Sequence, residues 1–189
     1  VPVTGIIDLG LAPFLSRTIR EAQDAGAAAV VLDINTFGGR VDAAVAMRDA
    51  LLGSPVKTIA FVNQRAISAG ALITLACEQV VMATGGTVGA ATPVLSGGTE
   101  TVAADEKTVS YVRSEFRATA EARNRNPQIA EAMVDPDVVI PGLIEAEKLL
   151  TLTTSQAIEH GIADYTADSL EATLEAVGLA GADVFRAEQ

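Results

Sequence analysis

The chain has 189 residues, of which 49% are hydrophobic, and its formal net charge is −11. This composition excludes a disordered chain, because the length and the apolar content suffice for the core of one α/β domain. The negative charge argues against nucleic acid as a partner, since phosphate contacts depend on Lys and Arg. No apolar run approaches the ~20 residues of a membrane span. Because the chain begins with Val1, we expect an excised domain or a processed product.

In chain order, short apolar or β-branched runs alternate with segments of helical spacing. The predicted strands are 3–9, 28–34, 58–62, 79–82, a short one within 85–90, and 162–165. The predicted helices are 13–25, 41–52, 66–78, 107–123, a short one after 127, one that starts near 153, and 167–177. Residues 95–106 are polar and rich in Gly and Thr, which predicts a mobile loop. The alternation predicts βαβ units and a mainly parallel sheet flanked by helices, within a single domain of residues 1–189.

Two candidate site segments follow neighbouring predicted strands. In parallel sheets reactive groups gather at the carboxyl ends of the strands, so we expect Gly38-Gly39 and Ser68 at the same edge. A Ser at a helix N-terminus lies where the helix amides favour developing negative charge. A glycine pair can free an amide that binds an oxyanion together with the amide of Ala69. A helix-capping Ser and a tight βα turn are the structural alternatives.

A nucleophilic Ser needs a base, and the sequence offers few. His160 is the only histidine, and its place at a helix end favours a surface residue. A lysine with a neutral amine can serve instead. Of the three lysines, Lys57 precedes a strand at the remote end of the sheet, and Lys148 lies among glutamates. Lys107 opens a helix after the polar segment, although an ordinary surface lysine would fit that position as well.

The order of these motifs resembles that of a known protein family. The segments are 36–39 (TFGG), 66–70 (AISAG), 89–93 (GAATP), 105–109 (DEKTV) and 157–164 (AIEHGIAD). Together they resemble the Clp-type proteases, the signal peptide peptidase SppA and the protease domain of the long-form NfeD membrane proteins. The resemblance covers about residues 3–178 and implies a ClpP/crotonase-like fold with C-terminal helices over about 107–189.

The resemblance also implies a function, namely a serine endopeptidase that needs no cofactor or metal. Ser68 would be the nucleophile, Lys107 the general base, and the amides of Gly39 and Ala69 the oxyanion hole. Gly38 would support the turn. Phe37 stands where relatives often have Pro, and we expect it to line the substrate groove. We expect Lys107 to be desolvated once the 95–106 segment closes over substrate.

The implied partners are a peptide or protein substrate with apolar residues near the cleaved bond, a stomatin-like (SPFH) protein among them. The resemblance further implies a homodimer or larger homo-oligomer. It also implies an extracytoplasmic location, periplasmic or at the cell surface, with membrane contact through segments that this chain lacks. Two alternatives stay open: a crotonase-type enzyme acting on an acyl-CoA thioester, and a non-catalytic, protease-like assembly module.

Overall fold

A computed structural model of the protein describes residues 1–97 and 100–188. The described strands are β1 (Pro2–Ile7), β2 (Val30–Gly39), β3 (Thr58–Ile67), β4 (Gln79–Met82), β5 (Thr87–Gly89), β6 (Val94–Gly97), β7 (Glu100–Ala103), β8 (Thr151–Thr153) and β9 (Tyr165–Thr166). The described helices are α1 (Leu11–Asp24), α2 (Val41–Leu52), α3 (Ala69–Ala76), α4 (Glu106–Ala122), α5 (Pro127–Ala132), α6 (Thr154–Glu159) and α7 (Leu170–Ala176).

Seven strands form one sheet in the order β1-β2-β3-β4-β9, and β5 pairs with both β3 and β8. All of these pairings are parallel except that of β5 with β8. The predicted mainly parallel sheet with flanking helices is therefore confirmed. The observed limits of α2 and β4 coincide with the predicted ones. β8 was not predicted, because three residues carry too little periodicity to be recognised.

Strands β2 and β3 extend further than predicted. Gly38 and Gly39 remain paired with β1, as partners of Ile6 and Ile7, so the predicted glycine turn lies inside β2. Strand β3 likewise continues to Ile67, and α3 begins only at Ala69. Both strands therefore end at the candidate site, and the nucleophile candidate lies between a strand and a helix.

Residues 95–106 contain more regular structure than the predicted loop. Strands β6 and β7 pair with each other as an antiparallel hairpin, with Val94 opposite Ala103 and Gly97 opposite Glu100. The prediction of an irregular segment was wrong, because Gly and Ala dilute the β-branched residues that mark a strand. Residues 98 and 99 lie outside the described part, and the mobility of the segment stays a prediction.

Helix α3 forms the centre of the core, and all of its eight residues are buried. It packs between the sheet and helices α2 and α4. Its small residues allow close packing against strands that carry Val, Ile and Leu, as the composition suggests. No helix within residues 1–97 and 100–188 combines the length and the apolar character that crossing a membrane requires.

Two arginines hold the carboxyl ends of α2 and α3. Arg123 donates to the carbonyls of Ala76 (2.7 Å) and Leu51 (2.9 Å). Arg125 is buried, and four backbone carbonyls accept from its guanidinium: those of Ile162, Leu75, Cys77 and Glu78. Burial lowers the pKa of Arg125, and Asp164, 3.6 Å away, partly offsets that effect. The last carbonyls of a helix have no N–H partner within the helix, and the two guanidinium groups supply donors for them here.

Replacement of Arg125 with Leu tests this anchoring. We expect the free energy of unfolding to fall by about 3 kcal/mol or more, because several buried carbonyls lose their donors. The matched control is Arg117→Leu, since Arg117 is half exposed and pairs with Glu121 and Glu131. That variant is expected to lose less than about 1 kcal/mol. Urea denaturation followed by circular dichroism measures both, and equal losses would contradict the assignment.

Candidate active site

Ser68 lies at the junction of β3 and α3 with an unusual backbone conformation. Its φ is +57° and its ψ is −120°, values that side-chain-bearing residues rarely adopt. Its amide donates to the Gly89 carbonyl (2.9 Å), and its own carbonyl accepts from the Ala71 amide (2.9 Å). Such a conformation costs on the order of 1–3 kcal/mol and occurs most often at functional sites. A sharp strand-to-helix turn of this kind presents a nucleophile at the surface.

The side chain of Ser68 lies directly against Gly38. A Cβ atom added to Gly38 would come within 2.6 Å of the Ser68 Cβ and 3.0 Å of its Oγ. Gly38 also has a φ of +110°, which favours glycine independently of space. The predicted meeting of the glycine pair and the serine at one sheet edge is therefore observed, although the roles of these residues stay predictions.

The backbone amides of Gly39 and Ala69 belong to the residues that follow Gly38 and Ser68 in the chain. The amide of Arg40 donates to the Ile7 carbonyl on β1 (2.8 Å). Gly39, the residue before it, lies so close to β1 that an added Cβ atom would come within 2.1 Å of the Ile7 carbonyl oxygen. The amide of Ala69, the first residue of α3, has no acceptor within residues 1–97 and 100–188. These are the two amides that the sequence suggested for an oxyanion hole.

Lys107 forms no hydrogen bond with Ser68 in this structure. It is the second residue of α4, after Asp105, whose carboxylate accepts from the Thr108 amide (3.0 Å). At 3.6 residues per turn, Lys107 lies on the side of α4 opposite the buried Val112 and Phe116. Its side chain is exposed, and it forms no hydrogen bond or ion pair with any described residue. The two residues that the sequence predicts as a catalytic pair therefore form no hydrogen bond with each other here.

Other nucleophiles and bases are less well placed. Cys77 is fully buried, and burial raises the pKa of its thiol to about 12, so it carries no reactive thiolate. His160 follows the last residue of α6, and its amide donates to the Gln156 carbonyl (2.9 Å). Among the described residues, no group of three or more potential metal ligands occurs. Ser68 is therefore the nucleophile that the arrangement favours.

A shallow groove lies beside Gly39 on the exposed side of the sheet. Phe37 forms part of it and is 76% exposed, as is Ile6 on the adjacent strand at 78%. The guanidinium of Arg65 lies over the Phe37 ring, 4.7 Å from its centroid, in a cation–π contact. Sequence reasoning placed Phe37 in a groove but missed Arg65. The signal in the sequence that could have identified Arg65 was its position three residues before Ser68.

Comparison with known proteins decides the family. The model of the NfeD1b N-terminal domain family matches residues 1–187. The chain belongs to this family. The membrane protein NfeD1b of Bacillus subtilis is 41% identical over 191 residues, which cover 100% of this chain and 43% of that protein. The membrane-bound protease PH1510 of Pyrococcus horikoshii is 27% identical over 164 residues, 84% of this chain and 34% of its own length. The NfeD1b-type chain thus spans less than half the length of either relative.

Solved structures confirm the ClpP-like fold of this NfeD1b-type domain. A serine-to-alanine mutant of the membrane-bound stomatin-specific protease 1510-N aligns with a TM-score of 0.80 and 25% identity, over 93% of this chain and 81% of the other. A lysine-to-alanine mutant of the same protease, in complex with a substrate peptide, aligns with a TM-score of 0.80 and 26% identity. The alignment covers 92% of this chain and 76% of the other. ClpP1 of Listeria monocytogenes aligns with a TM-score of 0.68 and 19% identity, over 95% of this chain and 93% of the other. At this identity the similarity concerns the fold alone.

Replacement of Gly38 with Ala tests the close contact with Ser68. Gly26 provides the matched control, because its φ is also positive (+65°) but open space surrounds the position of its Cβ. We expect Gly26→Ala to lose about 1 kcal/mol of unfolding free energy from the backbone conformation alone. Gly38→Ala should lose about 1–3 kcal/mol more, because its methyl group overlaps Ser68. Urea denaturation measures both variants, and equal losses would show that Gly38 and Ser68 are not in contact.

Proposed function

We propose that this domain is a serine endopeptidase in which Ser68 is the nucleophile and Lys107 the general base. The observation that carries the proposal is the strained, partly exposed Ser68, set against Gly38 and followed by the Ala69 amide, which has no acceptor among the described residues. The relatedness to a membrane-bound protease supports it. Ser68 and Lys107 lie 39 positions apart, a separation close to that of the serine and the lysine mutated in the 1510-N structures.

The proposed reaction is acyl transfer through a covalent intermediate. Neutral Lys107 takes the hydroxyl proton while the Ser68 Oγ attacks the peptide carbonyl. The Gly39 and Ala69 amides stabilise the oxyanion. Protonated Lys107 then gives the proton to the leaving amine, and an acyl-enzyme ester remains. Lys107 then takes a proton from water, which attacks the ester, and gives that proton to the Ser68 Oγ as the peptide acid leaves.

The reaction requires Lys107 to bond with Ser68, because its side chain is exposed and forms no hydrogen bond with Ser68 in this structure. Substrate binding is the event that we propose to bring the amine to the Oγ atom. The hairpin β6–β7 leads directly into the first turn of α4, so a shift of the hairpin against a bound peptide would carry Lys107 with it. Catalytic contacts often tighten only when substrate is bound.

Proteins of the stomatin type are the substrates that we propose, since the related 1510-N is described as stomatin-specific. Cleavage is proposed near apolar residues, which the exposed Phe37 and Ile6 would contact. We also propose that the domain forms a homodimer or larger homo-oligomer and works on the extracytoplasmic side of a membrane protein. A non-catalytic, protease-like module is the second candidate, and the exposed position of Lys107 is the observation that favours it.

Replacement of Ser68 or Lys107 with Ala tests the catalytic pair. Ser68→Ala should abolish cleavage of stomatin-derived peptides and labelling by a fluorophosphonate, because the Oγ atom is the nucleophile. Lys107→Ala should lower kcat by about 100-fold or more, the usual contribution of a general base. Lys148→Ala is the control, since Lys148 is exposed and pairs with Glu145. A wild-type domain that neither cleaves nor labels at Ser68 would support the non-catalytic alternative.

Replacement of Phe37 with Ala tests the groove. We expect KM for peptides with an apolar residue near the cleaved bond to rise about tenfold, because the ring would bury apolar surface on the substrate. KM for peptides with a polar residue there should change little. Phe185→Ala is the control, because Phe185 is 90% exposed. Unchanged KM values for Phe37→Ala would place substrate elsewhere.

A further inference from the structure

Strand β2 carries a bulge just before the glycine pair. Its Asn35 pairs with Thr4 on β1, but the next pair along is Gly38 with Ile6. Two residues of β2, Thr36 and Phe37, therefore lie opposite the single residue Gly5. A bulge of this kind bends the strand and changes the direction of the residues that follow it. The direction of the Gly39 amide therefore depends on how the bulge is held.

The Thr36 hydroxyl bridges the bulge. It donates a hydrogen bond to the Gly5 carbonyl on β1 (2.6 Å) and accepts one from the Gly38 amide (2.9 Å). A Thr hydroxyl that bonds the amide two residues later fixes a local turn. The hydroxyl thus satisfies a carbonyl and an amide at the irregular position, and Thr36 itself is only 2% exposed.

The Thr36 methyl group packs against the start of α3. A Cβ atom added to Gly70 would come within 2.5 Å of the Thr36 Cγ2. Gly70 is the second residue of α3, next to Ala69 and two positions after Ser68. One buried side chain therefore contacts the start of α3 through its methyl group and the Gly38 amide through its hydroxyl. The two amides proposed for the oxyanion hole lie on these two segments.

We infer that Thr36 is a positioning residue for the oxyanion hole, in which its hydroxyl fixes the Phe37–Gly38 peptide, immediately before the Gly39 amide, so that the Gly39 amide is directed at the oxyanion. This inference rests on the proposed serine peptidase activity. Thr36 is only 2% exposed and its hydroxyl bonds the Gly5 carbonyl and the Gly38 amide, so we infer that it acts through the turn. Its effect should concern the transition state, since only there does the carbonyl oxygen carry the charge that the amide stabilises.

Replacement of Thr36 with Val and with Ser separates the hydroxyl from the methyl group. Thr36→Val keeps the contact with Gly70 but removes both hydrogen bonds. We expect kcat for a peptide substrate and the rate of fluorophosphonate labelling of Ser68 to fall about 10–100-fold, somewhat less than the loss of an oxyanion donor causes. KM should stay within about threefold. Thr36→Ser keeps the hydroxyl and should retain both rates within about threefold.

Thr154→Val is the matched control for the loss of a buried hydroxyl. The Thr154 hydroxyl donates to the Ala83 carbonyl at the same distance of 2.6 Å. The Thr154→Val variant should lower the melting temperature about as much as Thr36→Val does. It should leave kcat and the rate of Ser68 labelling unchanged. If Thr36→Val does not fold, Thr36→Ala takes its place, compared with Thr36→Ser.

The outcomes are distinct for the inference and for the proposed function. If the wild type labels at Ser68 and Thr36→Val labels and cleaves at the same rates, the positioning role is wrong and the peptidase proposal stands. The role is equally wrong if Thr36→Ser loses as much kcat as Thr36→Val, because packing and not the hydroxyl would then matter. If the wild type neither labels nor cleaves, the proposed function fails and the inference fails with it.

Discussion

The contact between the end of β2 and the start of α3 is the constraint on which the site depends. At Gly38 and at Gly70, a single added carbon would overlap Ser68 or Thr36. Two segments far apart in the chain therefore approach with no space for side chains between them. Because this approach sets the distance between the amides and the Ser68 hydroxyl, small changes in packing should alter the site more than they alter the fold.

The opposite end of α3 is held in a different way. Arg123 and Arg125 come from the segment that follows α4, and they bind backbone carbonyls at the ends of α2 and α3. The central helix is thus fixed by steric contact at its amino end and by hydrogen bonds at its carboxyl end. A helix fixed at both ends can keep Ser68 in a conformation that the chain would otherwise leave.

The overall fold was predictable because its signals are local and repeated. Buried runs such as β4 and amphipathic segments such as α2 carry enough periodicity to define type and limits. The hairpin β6–β7 was not predictable, since its pairing compensates for a composition typical of loops. The extension of β2 through Gly38 and Gly39 was missed because glycine usually signals a turn, whereas here it permits a close approach between strands.

The candidate site was predictable in part. The order of motifs brought Gly38, Gly39 and Ser68 to one edge, as the parallel sheet requires. The exposed position of Lys107 could not be derived, because the orientation of a residue in the first turn depends on how α4 packs. Arg65 and the bridging hydroxyl of Thr36 were missed for a related reason. Their contacts arise from a strand irregularity that has no signature in hydrophobic periodicity.

The backbone of Ser68 has a consequence for how such domains could change over time. Glycine would adopt the φ of +57° without strain, whereas alanine would be as strained as serine at this position. The exchange of Ser68 for Gly would therefore remove the proposed nucleophile and stabilise the chain by about 1 kcal/mol or more. A lineage that no longer needs the hydroxyl would gain stability from this exchange.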